Sequence, residues 1–227
     1  MDDILALDAT GQLAALAARQ VSAVELLAAA HRRYEAANPR VNAVVATDFD
    51  RARGHAQAID ARRRAGEVLG PLAGLPMTIK DTFDVEGLPA SSGLEVFRRG
   101  QRPDAASVAL ARAAGAVIWG KTNTPVMAGD FQTFNALYGT TNNPWDVTRT
   151  PGGSSGGAAA ALALSITALE IGSDIGGAAA STSNSSARSR ADLAIGPTTL
   201  RSRSASEPGR GGMWPSCETT PQVGLCE

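Results

Sequence analysis

Short apolar runs alternate with helix-forming runs along the first 171 residues, and this alternation constrains the fold more than any other feature of the sequence. The apolar runs that predict strands are residues 41–46, 75–79, 116–119 and 168–171. The runs with helical spacing are residues 9–38 (two helices), 48–66, 105–114 and 157–164. Strands that alternate with helices favour an α/β fold with a largely parallel sheet.

Several helix boundaries are marked by their own residues. Ser22 and Glu25 have the spacing of a capping box, in which both side chains satisfy backbone N–H groups at the start of a helix. The Asn38-Pro39 pair predicts the end of that helix, because proline has no backbone N–H to donate. Gly115 is the expected cap after residues 105–114, since glycine readily takes the left-handed conformation.

Composition and charge argue against several classes of protein. The net charge of −1 and the aromatic content of 4% disfavour binding to nucleic acid or to a membrane surface. No apolar run approaches the ~20 residues of a membrane-spanning helix. Residues 1–11 do not resemble a secretion signal, so we expect a soluble, cytoplasmic protein. The two cysteines, Cys217 and Cys226, predict no disulfide framework.

The available residue types exclude several catalytic arrangements. His31 and His55 fall in helices expected at the surface, away from the glycine-rich turns, so a Ser-His-Asp relay lacks a base. No cysteine precedes residue 217, and no group of histidines, cysteines and carboxylates has the spacing of a zinc site. We therefore expect neither a metal nor another cofactor, and serine and lysine remain as candidate catalytic residues.

Lysine is rare in this chain. The two lysines, Lys80 and Lys121, stand beside glycine-rich motifs and directly after predicted strands. Ligand sites of α/β folds lie at the carboxyl ends of strands. A buried lysine can act as a general base, because burial lowers the pKa of its ammonium group. For Lys80, a structural ion pair with an acid such as Asp81 is an equally good interpretation.

Two turns offer groups for catalysis. Ser154 and Ser155 lie between two glycine pairs in PGGSSGG, residues 151–157, where hydroxyl groups are typical of a functional loop. A flexible surface turn is the alternative, and a phosphate-binding loop is disfavoured because no Gly-Lys-Ser/Thr follows. The segment GSDIGGA, residues 172–178, supplies consecutive backbone N–H groups that could stabilise an oxyanion. An ordinary turn from strand to helix is the alternative there.

Three motifs in this order resemble the amidase signature family. These serine hydrolases of amides include aryl acylamidases and the amidotransferase A subunit that makes glutaminyl-tRNA. The matching runs are GLPMTIKDTFDVEGLPASSG (74–93), AGAVIWGKTNTPVMAGDFQTFNALYGTTNNPWDVTRTPGGSSGG (114–157) and ALEIGSDIGG (168–177). Within the family, KTNTPVMAGD and TTNNPWD are more similar to the stand-alone amidases. The resemblance implies an α/β fold with a mixed, mainly parallel sheet flanked by helices, here in truncated form.

The resemblance also implies a Ser-cisSer-Lys triad that acts on a small-molecule amide. Its lysine is Lys80, and its bridging serine, which follows a cis peptide bond, is Ser154. Its nucleophile is the residue at position 178. The oxyanion hole comprises the backbone amides of Ile175, Gly176 and Gly177, and the supporting residues are Ser155, Ser173 and Asp174. For Lys121 we expect a structural or substrate-region role.

The chain departs from the family at Ala178, which has no nucleophilic oxygen. Residues 178–227 are rich in serine and arginine and have little periodicity, so we expect a disordered tail that arose from a frameshift or a deletion. A small subdomain is the alternative. We therefore divide the chain into residues 1–177, the amino-terminal part of an amidase domain, and residues 178–227.

The sequence thus predicts an amidase-family hydrolase of carbon–nitrogen bonds. We expect this chain to be inactive, because Ala178 occupies the nucleophile position and the carboxyl half of the family is missing. Ser181 lies up to ~10 Å further along an extended chain and is a poor substitute. A non-catalytic binding or interaction protein derived from an amidase is the alternative, and a phosphate-binding α/β domain is a more distant one.

Overall fold

The computed structural model of the protein describes residues 2–98 and 102–173. The helices of this part are α1 (Asp2–Leu5), α2 (Ala9–Ala17), α3 (Ala23–Val41), α4 (Phe49–Arg64), α5 (Ala106–Ala113) and α6 (Gly156–Ala163). Its strands are β1 (Val44–Thr47), β2 (Pro76–Lys80), β3 (Val117–Thr122), β4 (Phe134–Asn135), β5 (Gly139–Thr140) and β6 (Glu170–Ile171). Short 3-10 turns cover Glu95–Phe97 and Val126–Ala128.

In the described residues, four strands form one sheet in the order β1-β3-β2-β6. Strand β2 runs parallel to both β3 and β6, whereas β1 is antiparallel to β3. Strands β4 and β5 form a separate antiparallel pair. Helices pack against the sheet, which confirms the predicted α/β fold with a mixed, mainly parallel sheet flanked by helices. No helix of residues 2–98 and 102–173 has both the length and the apolar character needed to cross a membrane.

The pairing of β2 with β3 changes register once. Met77 pairs with Ile118, but Thr78 pairs with Gly120, so Trp119 is an extra residue in β3. An extra residue of this kind interrupts the alternation of side chains along one strand only. Polar side chains that follow the bulge are therefore aligned across the two strands, and this alignment positions the candidate site.

Apolar side chains are buried in two clusters within the described part. One cluster contains Met77 and Ile79 of β2 together with Val108 of α5. The other joins α3 and α4 to β3 and α6, and in it the ring of Phe49 stacks on Trp119 with 4.6 Å between centroids. Since the helices cover the sheet, the carboxyl end of β2 lies in a largely dry environment.

The start of α3 matches the prediction, but its end does not. Both hydrogen bonds of the capping box between Ser22 and Glu25 are present. The helix continues through Pro39, and the N–H of Asn42 bonds to the carbonyl of Asn38 at 2.6 Å. Proline removes only its own N–H, so a proline in the last turn leaves later hydrogen bonds intact. The predicted end at Asn38-Pro39 was wrong, and β1 accordingly starts at Val44 rather than at residue 41.

Strand β3 extends further than its apolar run. The sequence places Lys121 after a strand at residues 116–119, whereas the structure places it inside β3. Lys121 pairs with Ile79 on one side and with Ala46 on the other. Backbone pairing on both sides keeps the segment extended although its side chains are polar, and this pairing is invisible to a local apolar pattern.

Candidate active site

Lys80 is the last residue of β2, and its side chain is completely buried. Its Nζ donates one hydrogen bond to the Oγ of Ser154, 2.7 Å away, and another to the carbonyl oxygen of Ser173, 3.0 Å away. The buried strand carries the lysine into the interior. The structure thereby brings together two predicted catalytic residues that lie 74 positions apart in the sequence.

Ser154 lies in the turn before α6, directly after a cis peptide bond between Gly153 and Ser154. It is 4% exposed. Its carbonyl oxygen accepts a hydrogen bond from Thr124 Oγ1 at 3.1 Å, and that of Gly152 accepts one from Thr133 Oγ1 at 2.9 Å. These two threonines, which sequence reasoning missed, hold both sides of the turn, so the turn is not a flexible surface loop.

The second glycine pair of this turn allows α6 to approach the sheet closely. A Cβ atom on Gly157 would lie 2.5 Å from the carbonyl oxygen of Asn123 and 2.8 Å from that of Ala43. Contacts this short do not occur for real Cβ atoms, so a larger residue would push the start of the helix away from the sheet. The glycine thus serves close packing next to the serines.

Ser155 and Ser173 also meet at this site. The carbonyl oxygen of Ser173 accepts a hydrogen bond from Ser155 Oγ at 3.2 Å, in addition to the one from Lys80. The hydroxyl groups of Ser173 and Thr82 are 3.5 Å apart. The segment after β6 is therefore joined both to the end of β2 and to the serine turn.

The remaining predicted site residues lie outside the described residues. They are Asp174, Ile175, Gly176, Gly177 and Ala178. The oxyanion hole, the nucleophile position and the domain boundary at residues 177 and 178 consequently remain sequence-based predictions.

Lys121 occupies a different place from Lys80. It is completely buried, and its Nζ donates to Asp81 Oδ1 at 3.3 Å and to the carbonyl oxygens of Phe83 and Pro89 at 2.7 and 3.1 Å. Burial lowers the pKa of Lys121, and the neighbouring Asp81 carboxylate opposes that shift. Lys121 therefore forms the ion pair with Asp81 that the sequence had suggested for Lys80. Lys121 thus holds the loop after β2, which agrees with the structural role expected for it.

Glu170 is an acidic residue beside the site that sequence reasoning also missed. It lies on β6 and is 2% exposed. Its Oε1 accepts a hydrogen bond from Thr122 Oγ1 at 2.6 Å, and its Oε2 accepts one from Thr78 Oγ1. Burial raises the pKa of Glu170 to about 8, although hydrogen bonds from both threonines and the charges of Lys121 and Lys80 lower it. The signal in the sequence was a lone glutamate inside the apolar run ALEI.

The fold and the site together define an α/β protein with a buried lysine–serine pair at the carboxyl end of its sheet. The family model described as Amidase matches residues 25–179, and the chain belongs to that family. This result confirms the family resemblance found in the sequence.

Individual relatives are similar to this chain over about the same share of its length. The glutamyl-tRNA(Gln) amidotransferase A subunit of Acidothermus cellulolyticus is 46% identical over 178 residues, which are 78% of this chain and 35% of that protein. The solved structure of 6-aminohexanoate cyclic dimer hydrolase complexed with substrate is 36% identical, with a TM-score of 0.69, over 77% of this chain and 35% of that one. The solved structure of the peptide amidase of Stenotrophomonas maltophilia is 31% identical, with a TM-score of 0.73, over 77% of this chain and 37% of that one.

The chain spans about a third of the length of these relatives. The relatives include two hydrolases as well as one component of an amidotransferase, so the closer similarity to stand-alone amidases stays a prediction.

Proposed function

We propose that this chain carries the base and the proton relay of an amide hydrolase, and that it hydrolyses carbon–nitrogen bonds only at a background rate. The observation that supports the proposal is the 2.7 Å hydrogen bond between the buried Nζ of Lys80 and the Oγ of Ser154. A buried amine in contact with a hydroxyl is the arrangement that a serine–lysine relay requires.

In the proposed mechanism, a serine at position 178 would supply the oxygen that attacks the amide carbonyl. Ser154 would take the proton of that hydroxyl and pass its own proton to the neutral amine of Lys80. The backbone amides of residues 175–177 would stabilise the oxyanion. Lys80 would then return the proton through Ser154 to the leaving amine, and water would hydrolyse the acyl-enzyme.

Ala178 removes the first step of this mechanism. A methyl group cannot attack a carbonyl carbon, whereas the base and the relay remain in place. Loss of the nucleophile from a serine hydrolase triad lowers kcat by about 10⁶-fold. We therefore propose that the chain as it stands has no enzymatic turnover.

The proposed substrates are small-molecule amides, either aryl amides or short aliphatic amides. The similarity to a peptide amidase and to 6-aminohexanoate cyclic dimer hydrolase supports this class. We propose no nucleic-acid or membrane partner, and we propose a cytoplasmic location, from the charge and composition of the chain.

The test compares the unmodified chain with its Ala178→Ser variant on an aryl amide and on a short aliphatic amide. We expect background hydrolysis by the unmodified chain and measurable turnover by the variant. Loss of that turnover in Ala178→Ser combined with Ser154→Ala would assign it to the proposed relay. Turnover by the unmodified chain at an ordinary enzymatic rate contradicts the proposal.

A binding protein derived from an amidase is the second candidate, because the lysine–serine pair is retained although the nucleophile is absent. In that case the unmodified chain should bind an aryl amide in calorimetry, and Ala178→Ser should add no turnover. An absence of binding by both chains would reject this candidate.

A further inference from the structure

Glu170 is an unusual residue for the buried interior of the fold, where it lies on β6 at the edge of the described sheet. Its carboxyl group is buried, yet the hydrolytic mechanism proposed above does not use it. Two hydroxyl groups, one on β2 and one on β3, donate hydrogen bonds to its two oxygen atoms. A buried carboxyl group is costly unless its hydrogen bonds are made, so its contacts call for an explanation.

The register of the sheet explains how one side chain reaches two strands. Glu170 pairs with Thr78 of β2, and Lys80, two residues further along β2, pairs with Thr122 of β3. Side chains of paired residues lie on the same face, and residues two apart on a strand share that face. Glu170, both threonines and Lys80 therefore lie together on one face at the carboxyl end of the sheet.

The contact with Thr122 spans a whole strand. Since β6 is hydrogen-bonded to β2 and not to β3, the side chain of Glu170 crosses β2 to reach Thr122. It thus connects three strands through side-chain hydrogen bonds. Strand β6 comprises only Glu170 and Ile171, so its backbone ladder is short and these side-chain contacts add to its attachment.

The position of β6 matters for Lys80. Ser173 follows Glu170 by three residues, and its carbonyl oxygen accepts the second hydrogen bond of Lys80 Nζ at 3.0 Å. A displacement of β6 would move this acceptor away from the amine. The same carbonyl oxygen also accepts a hydrogen bond from Ser155 Oγ, so the turn that contains Ser154 and Ser155 would be disturbed as well.

The charged groups around Glu170 are few within the described residues. Lys121 and Lys80 act on its carboxyl group when their amines are protonated, and helix α6, which packs on the same sheet, contains no titratable side chain. Burial raises the pKa of Glu170 to about 8, so its carboxyl group is mostly protonated at pH 6.5. In that form one carboxyl oxygen carries the proton and donates to one of the threonine hydroxyls, and a glutamine amide can reproduce this arrangement with its NH₂ group, at the same charge and in a similar shape.

We infer that Glu170 is a positioning residue, which holds β6 against β2 and β3 through Thr78 and Thr122 so that the Ser173 carbonyl stays on the amine of Lys80. The importance of this role for catalysis rests on the proposed function, whereas the geometric role does not. The two can be separated, because the geometric role is measurable without turnover.

The experiment observes the two lysines of the full chain by NMR. Labelling with lysine carrying ¹³C at Cε and ¹⁵N at Nζ gives two signals, and Lys80→Met identifies the signal of Lys80. Spectra at pH 6.5 are compared for the unmodified chain, Glu170→Gln, Glu170→Ala and Thr122→Val. The matched control is Thr167→Val, because Thr167 is also buried near β6 but bonds to the carbonyl oxygen of Leu169.

We expect the Lys80 signal to shift and broaden in Glu170→Ala and in Thr122→Val, and to keep its position in Glu170→Gln and Thr167→Val. Should Glu170→Ala fail to fold, Thr122→Val provides the same test with the carboxyl group retained. An unchanged Lys80 signal in Thr122→Val overturns the inference. A shift in Glu170→Gln as large as in Glu170→Ala overturns it too, as does an equal shift in Thr167→Val.

Turnover gives a separate readout in the Ala178→Ser background. We expect Glu170→Ala to lower kcat with little change in KM, and Glu170→Gln to restore most of it. If Ala178→Ser shows no turnover, the proposed function fails, and the Lys80 signal alone decides the positioning role.

Discussion

Lys80 Nζ lies 2.7 Å from Ser154 Oγ, in a hydrogen bond that joins the last residue of β2 to the turn before α6. Both groups are buried, and the side chains of Thr124 and Thr133 hold the turn through the carbonyl oxygens of Ser154 and Gly152. The pair is therefore organised before any substrate arrives. Such preorganisation is what a base and its relay require.

The first prediction concerns this pair. In the Ala178→Ser background, Lys80→Met and Ser154→Ala should each reduce kcat/KM by at least about 10²-fold, because general-base catalysis contributes about that much or more. Steady-state hydrolysis of an aryl amide measures the effect. The control is Ser107→Ala on the exposed face of α5, which should retain the activity of its parent. A loss below about tenfold in both variants would remove the pair from the mechanism.

The second prediction concerns the pH dependence of stability. Burial raises the pKa of Glu170 from 4.5 to about 8, so between these values the folded chain holds a proton that the unfolded chain releases. The resulting stabilisation is complete below pH 4.5 and is lost as the pH rises through about 8. The free energy of unfolding should fall across this window by up to about 1.4 kcal/mol per pH unit.

Urea unfolding of the unmodified chain and of Glu170→Gln at pH 5, 6, 7 and 8 tests this prediction. Glutamine has no proton to lose, so its curve should be flatter across the window. Parallel curves for the two proteins would show that Glu170 ionises at its ordinary pKa in the folded chain.

The third prediction concerns Lys121. Lys121→Met should lower the free energy of unfolding by about 3–5 kcal/mol, because it leaves the buried carboxylate of Asp81 without its cation. The control is Arg53→Met, which breaks an exposed ion pair with Asp50 and should cost less than about 1 kcal/mol. Urea denaturation at pH 7 measures both. Equal effects of the two substitutions would contradict the buried ion pair.

The fourth prediction compares two glycines in helices. Gly157→Ala should destabilise the chain by about 1–3 kcal/mol, because its Cβ would overlap the backbone of Asn123 and Ala43. Gly54→Ala lies in α4 with nothing within 4 Å of the added atom, so it should be neutral or stabilising by up to about 1 kcal/mol. Thermal unfolding monitored by circular dichroism distinguishes them. A neutral Gly157→Ala would show that α6 does not need its close approach to the sheet.

Local patterns in the sequence were sufficient for the order of the elements. The apolar runs predicted the strands that became β2 and β3, and the capping box marked the start of α3 correctly. The motifs around Lys80 and Ser154 indicated the family, which the family model confirms. These features depend on residues that are close in sequence, so the chain displays them without its tertiary structure.

Other features depend on pairing between distant segments. The local sequence pattern predicted that α3 ends at Asn38-Pro39 and that β3 ends before Lys121. Both predicted boundaries were wrong. The pattern also left Lys80 equally placed for a relay or for an ion pair with Asp81. In the structure, Lys121 forms an ion pair with the carboxylate of Asp81, and Lys80 forms a hydrogen bond with Ser154.

The sequence by itself thus determined the fold class, the family and the residues that could form a catalytic set. Only the tertiary structure decided which of these groups meet, because the contacts join residues far apart in the chain: 74 positions for Lys80 and Ser154, and 92 for Thr78 and Glu170. The first contact follows from the packing of the turn before α6 against the end of β2, and the second from the register between β2 and β6. The burial of Glu170 likewise depends on the assembled sheet. The apolar run around it indicates that the segment is interior, but it does not indicate which groups bond to the carboxyl group.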